Sequence, residues 1–94
     1  MNEIDILLLF YNEMRTLGIS REQVFLSINE NAVAIFSQKY GNSVTLDEVE
    51  ALTDVCIANE WLERTTIDPG YNFLSLTAQG LQIILAHEYA RKKI

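Results

Sequence analysis

The sequence predicts a mainly α-helical domain with one small β-hairpin placed between the third and fourth of its helical segments. Three observations carry this. Apolar residues recur at helical spacing in four stretches that span most of the chain. The stretch from Trp61 to Leu76 breaks that rhythm, mixing aromatic, branched and polar residues around Asp68-Pro69-Gly70-Tyr71, a turn signal. A chain of 94 residues has room for one hydrophobic core and not for two, so residues 1–94 read as a single domain.

The first helix is expected from about Asn2 to Thr16. Ile4, Leu7, Leu8, Tyr11 and Met14 follow helical spacing, and Ile6, Leu9, Phe10 and Leu17 fill much of the remaining circumference. A helix apolar on most sides must be buried on most sides. Gly18 suits the left-handed position that ends it.

The second helical segment is expected from about Arg21 to Lys39. Ser20 and Gln23 form a capping-box pattern. Val24, Phe25, Ile28, Ala32, Ile35 and Phe36 make one helical stripe. Asn29-Glu30-Asn31 interrupts it with cap-prone residues, which leaves open whether the segment is one helix or is kinked or broken into two there.

The third helix is expected from about Leu46 to Asn59, capped by Thr45 with Glu48. Leu46, Val49, Thr53, Cys56, Ile57 and Glu60 project to its core side, with Leu52 at the edge. The hairpin follows, with Trp61 to Ile67 as first strand and Phe73 to Leu76 as return strand. Pairing Asp68 with Tyr71 across the turn sets Thr66 opposite Phe73 and Arg64 opposite Ser75. Leu74 and Leu76 then point into the core, and Tyr71 and Phe73 stand on the exposed side.

The last helix is expected from about Ala78 to Lys93, capped by Thr77. Leu81, Ile84, Leu85 and Tyr89 form its main apolar face; Ile83, Ala86 and Ala90 form a second. Arg91, Lys92 and Lys93 fall in the last turn, where cations favour the helix dipole.

Composition excludes several classes. Apolar residues make up 49% of the chain, too many for disorder. The longest apolar run, Ile6 to Tyr11, is far short of the ~20 residues that cross a membrane. Glu3 and Asp5 lie just upstream of it in place of a basic segment, so a secretory signal is not expected. Cys56 is the only cysteine, which rules out an intrachain disulfide and fits a reducing, cytoplasmic compartment. Seven Lys and Arg face thirteen Asp and Glu, for a net charge of -6. Such a domain is repelled by phosphate backbones and anionic lipid unless its few cations cluster.

Two stretches carry a resemblance. One is Leu52, eight intervening residues, then Trp61-Leu62-Glu63-Arg64; the other is Leu74-Ser75-Leu76-Thr77-Ala78-Gln79-Gly80. Set in the order helix, helix, helix, hairpin, helix, they resemble the winged-helix (winged helix-turn-helix) superfamily. The first is similar to the junction where a recognition helix runs into the wing. The second is similar to the "leucine, threonine, two residues, glycine" pattern leading from the wing into the final helix of many bacterial regulators. Together they cover Thr45 to Tyr89 and point to a superfamily, not to one member. The long second segment departs from the superfamily's usual short helix and tight turn.

The resemblance implies a third helix that enters the DNA major groove and a wing that touches the backbone or minor groove. The residues argue otherwise. A 100° step per residue puts Asp47, Ala51, Asp54 and Ala58 directly outward on the third helix, flanked by Glu48, Glu50 and Val55. That face has no Lys or Arg, the residues that read bases and neutralise phosphates. It either contacts a protein or is a plainly solvated acidic face, and both readings count against DNA docking. The wing offers Arg64 and Thr66 with the aromatics Tyr71 and Phe73 as a second candidate surface; the plainer alternative is that these aromatics pack on the wing's own strand or on Trp61.

No catalytic group stands out. His87 is the only histidine and has no second His or Cys to share a metal. Cys56 sits at a core position, where it acts as a small hydrophobe. Asp47, Glu50 and Asp54 lie on a convex face with no pocket to tune them for acid–base work. No cofactor or metal is expected. The sequence therefore reads as a non-enzymatic regulatory module for protein–protein interaction. It is expected to self-associate as a homodimer through Ile6, Leu9 and Phe10 of the first helix and Ile83, Ala86 and Ala90 of the last. The alternative is a dimeric DNA-binding transcriptional regulator.

Overall fold

A computed structural model describes residues 1–92; Lys93, expected in the last helical turn, lies outside the described residues. The first helix, α1, spans Glu3–Leu17. Its start is capped reciprocally: the Asn2 side chain accepts from the Ile4 N–H at 3.0 Å, and the Asp5 carboxylate accepts from the Asn2 N–H at 2.9 Å. Gly18 ends it at φ 65°, as expected. Ile6, Leu7 and Phe10 are fully buried, and α1 packs against α3 (Leu46–Ala58), α4 (Ala78–Lys92) and the strand between them. The apolar surplus of α1 is thus absorbed within the chain. This corrects the expected dimer surface: Ile6 and Phe10 are core residues, inaccessible to a second copy.

The second segment differs most from expectation. Ser20 and Gln23 do pair, the Ser20 N–H donating to Gln23 Oε1 at 3.1 Å, but they close only a single 3-10 turn at Arg21–Gln23. The chain then runs extended. Leu26 exchanges two backbone hydrogen bonds with Leu74, at 3.0 and 2.8 Å, and the Ile28 N–H donates to the Tyr71 carbonyl at 2.8 Å. Val24 and Ile28 are buried while Phe25 between them is exposed. The backbone pairing makes this stretch strand-like, in residues rich in branched and aromatic side chains. The break falls at Asn29, whose side chain accepts from the Asn31 N–H at 3.0 Å and caps α2, Glu30–Tyr40.

In α2, Ala32 and Phe36 are buried and Ile35 is turned outward. Gly41, at φ 95°, ends it. The helix α3 starts where expected, with the Glu48 N–H donating to Thr45 Oγ1 at 3.2 Å. Val49, Thr53 and Cys56 form its buried side, and the Thr53 hydroxyl is satisfied by the Val49 carbonyl at 2.8 Å. Glu60, expected on that core side, is exposed: at φ 62° it turns the chain out of the helix, and the Trp61 N–H reaches back to the Cys56 carbonyl.

Two short antiparallel strands follow, β1 at Leu62–Arg64 and β2 at Leu74–Leu76, paired Leu62 to Leu76, Glu63 to Ser75 and Arg64 to Leu74. The expected register, Arg64 opposite Ser75, is off by one residue. Phe73 sits at φ 54°, so the return strand begins only at Leu74, and residues 65–73 form one loop and no tight turn. Leu74 and Leu76 point into the core as expected.

Thr77 caps α4, its Oγ1 accepting from the Gly80 N–H at 2.9 Å. The buried line of α4 is Gly80, Ile84 and Glu88, while Leu85 and Tyr89, expected on the core face, are exposed. The reason lies at Gly80. A Cβ there would fall 2.1 Å from the Trp61 carbonyl oxygen, so this helix face approaches β1 closely enough that only glycine fits. No helix among the described residues is long and apolar enough to cross a membrane.

Candidate protein-binding face

Thr45 fixes the start of α3, and the buried Val49, Thr53 and Cys56 fix its phase. Five of the six expected outer residues are then exposed: Asp47, Ala51, Asp54, Val55 and Ala58; Glu50 is half-buried. The hairpin loop folds back onto this face. The Tyr71 hydroxyl donates to Asp54 Oδ2 at 3.0 Å. That bond, with the charge of Asp54 and of nearby Glu50, holds the Tyr71 phenol above the usual tyrosine range.

The loop has its own internal ties. Asp68 Oδ1 accepts from the Gly70 N–H at 2.9 Å and Oδ2 from the Asn72 amide at 3.0 Å. The Asn72 amide first, then the Gly70 N–H, lowers the Asp68 carboxyl below its usual value. Arg64 Nε donates to the Gly70 carbonyl at 3.1 Å, so the hairpin's one cation is bound to its own loop. Thr66 accepts from the Asp68 N–H at 3.2 Å. Tyr71 is half-buried against the core and Phe73 is 57% exposed, so of the two wing aromatics only Phe73 stands free in solvent.

Sequence reading missed how sharply charge is segregated. Residues 45–73 hold seven carboxylates (Asp47, Glu48, Glu50, Asp54, Glu60, Glu63 and Asp68) and one cation, Arg64, a net of -6. That equals the net charge of the whole chain, so the six acidic and six basic residues elsewhere cancel. The three ion pairs among the described residues, Arg21 with Glu22, Lys39 with Asp5 and Arg91 with Glu88, all lie outside this segment. A tally by position would have shown this; a tally by helix face did not.

The residues weighed for chemistry sit apart. Cys56 is fully buried on the inner side of α3, where burial first, and the Glu3 charge second, pushes its thiol up to about 12. His87 is exposed on α4. Of the expected dimer residues, Leu9 and Ile83 are half-buried and Ala86 and Ala90 exposed. A cleft of about 530 Å³ that no sequence feature pointed to opens between α1, the Val24–Ile28 segment and α2.

Comparisons of the chain with protein-family models, curated proteins and solved structures gave no match.

Proposed function

We propose that the chain is a non-enzymatic winged-helix interaction module, and that the outer face of α3 with the hairpin loop docks on a basic protein surface. Two things support the winged-helix reading. The second segment departs from the superfamily pattern only as long as it is read as one helix. Split into an extended stretch that bridges to β2 at Leu26 and a shorter α2, it leaves the second helix short, as the superfamily's is. The glycine of the "leucine, threonine, two residues, glycine" stretch also has a physical task here, the close approach at Trp61.

The observation that carries the binding reading is the segregated charge. In a winged helix this face would meet DNA. Here it presents carboxylates that have no ion-pair partner among the described residues, each of which adds repulsion near a phosphate. Val55 and Ala51 between the acids give it some apolar character for a protein partner.

The test sets two probes against the labelled protein at low salt: random-sequence duplex DNA and a lysine-rich helical peptide. Binding of the peptide should map to α3 and the loop by amide shifts, and should be lost in Asp47→Lys with Ala51→Lys, which leaves the fold and the Tyr71–Asp54 bond intact because both positions are exposed. Micromolar binding of DNA that weakens steeply with salt would replace this reading with that of a DNA-binding regulator.

A further inference from the structure

The cleft between α1 and α2 is separate from the acidic face. Its apolar walls are Leu9 of α1, Leu26 and Ile28 of the extended segment, and Ala32 and Ile35 of α2. Ile35 is 53% exposed beside the buried Ile28 and Ala32 and the half-buried Leu9 and Leu26.

The extended segment is also an open sheet edge. In an antiparallel ladder, alternate residues turn their N–H and C=O groups to opposite sides. Leu26 gives both of its groups to Leu74 and the Ile28 N–H goes to the Tyr71 carbonyl, so the backbone groups of Phe25 and Ser27 point away from β2; the Ser27 hydroxyl accepts from the Phe73 N–H at 3.1 Å. None of these four backbone groups has a hydrogen-bond partner among the described residues. Ser27 lines the cleft and Phe25 does not, so the open edge meets the apolar walls at its Ser27 end. Protein edges are commonly blunted by Pro or Lys; Val24 to Ile28 contains neither. One charged group lines the cleft, the half-buried carboxylate of Glu13, which has neither an ion pair nor a hydrogen bond among the described residues.

We infer that this cleft binds an extended peptide segment of a partner protein. The segment adds a strand to the open edge at Phe25 and Ser27, seats an apolar side chain between Leu9 and Ile35, and pairs a Lys or Arg with Glu13. Unsatisfied backbone donors and acceptors in a row select an extended backbone, and the apolar walls select its alternate side chains. Charge selects between occupants. A second copy paired edge to edge across a two-fold axis would bring a second Glu13 carboxylate to the same opening, whereas a basic peptide neutralises the one present.

The full chain, labelled with nitrogen-15, is titrated with a capped seven-residue peptide of alternating threonine and valine with lysine at its centre. Two controls differ from it by one feature each: glutamate in place of the lysine, and N-methylation of alternate backbone nitrogens. The lysine peptide should shift the amides of Phe25 and Ser27 and slow their exchange with solvent. It should bind about twofold to fivefold more tightly than the glutamate peptide, the range of a partly exposed ion pair. Glu13→Lys should reverse that preference, and the N-methylated peptide should not bind. The inference is overturned by equal binding of the N-methylated peptide, by shifts confined to α3 and the hairpin, by indifference to the charge at Glu13, or by no binding at millimolar peptide. It is equally overturned if the Phe25 and Ser27 amides change with protein concentration alone, which would make the occupant a second copy.

Discussion

The Tyr71 hydroxyl and the Asp54 carboxylate, 3.0 Å apart, join the hairpin loop to the outer face of α3. Because the bond needs the protonated phenol, folding raises the Tyr71 pKa. The stabilisation is therefore fully present below the ordinary tyrosine value of about 10 and is lost as pH rises through the raised one. A titration that follows the Tyr71 ring by nuclear magnetic resonance should show its phenol ionising late in the wild type. That late step should return to the ordinary range in Asp54→Ala.

Asp5 should govern the acid side. Burial by itself would raise its carboxyl, but the Asn2 N–H, the Tyr40 hydroxyl at 2.8 Å and Lys39 at 3.3 Å together hold it below the usual aspartate value. A lowered carboxyl contributes stability above the unfolded pKa of about 4 that disappears as pH falls through the folded one. Asp5→Asn should lose about 1.5–3 kcal/mol near neutral pH, the range for hydrogen bonds to a charged group. Urea melts should show the gap from wild type closing below pH 4.

Gly80→Ala tests the packing of α4 on β1. The added Cβ meets the Trp61 backbone carbonyl, which is pinned by the Thr77 N–H at 3.0 Å and cannot yield as a side chain would. The helix must shift, at a cost of about 1–3 kcal/mol. Alanine is the better helix former, so a variant as stable as wild type in denaturant melts would show that the approach is looser than described.

Oligomeric state is the fourth test. With Ile6 and Phe10 inside the chain, α1 offers a second copy Leu17 at its end and the half-buried Leu9 at the cleft. The exposed Leu85, Ala86, Tyr89 and Ala90 share one side of α4, but a net charge of -6 opposes self-association. Sedimentation at tens of micromolar should give a single 10.7 kDa species. A dimer split by Ala86→Glu would restore the α4 half of the interface expected from the sequence.

Local signals proved legible. Thr45 with Glu48, Gly18, and Thr77 before Gly80 mark boundaries through bonds that close within three or four residues, and the outer face of α3 follows from its phase alone. What stayed hidden depends on distant partners. Val24, Phe25 and Ile28 fit a helical stripe as well as a strand, and only pairing with Leu74 decides between them. The hairpin register turned on one residue, Phe73, taking a left-handed conformation that no glycine announces. On α4, the spacing of Leu81, Leu85 and Tyr89 looked like a core face until the close approach at Gly80 rotated Leu85 and Tyr89 out. α1 is apolar nearly all round, which is equally consistent with a dimer and with a central helix; packing by α3 and α4 settles it for Ile6 and Phe10.

The bridge from Leu26 to Leu74 has a kinetic consequence. It closes a loop containing α2, α3 and β1, and each doubling of loop length adds only about 0.6 kcal/mol of closure entropy. Such distant pairing slows the search for the native state more than it weakens it. β1 and β2 meet locally and can zip early, leaving Leu74 waiting with one side of its backbone unpaired until the N-terminal third arrives. Through that interval the half-built sheet presents a raw edge to neighbouring chains. The refolding yield of this protein should therefore fall with concentration well before its native solubility is reached.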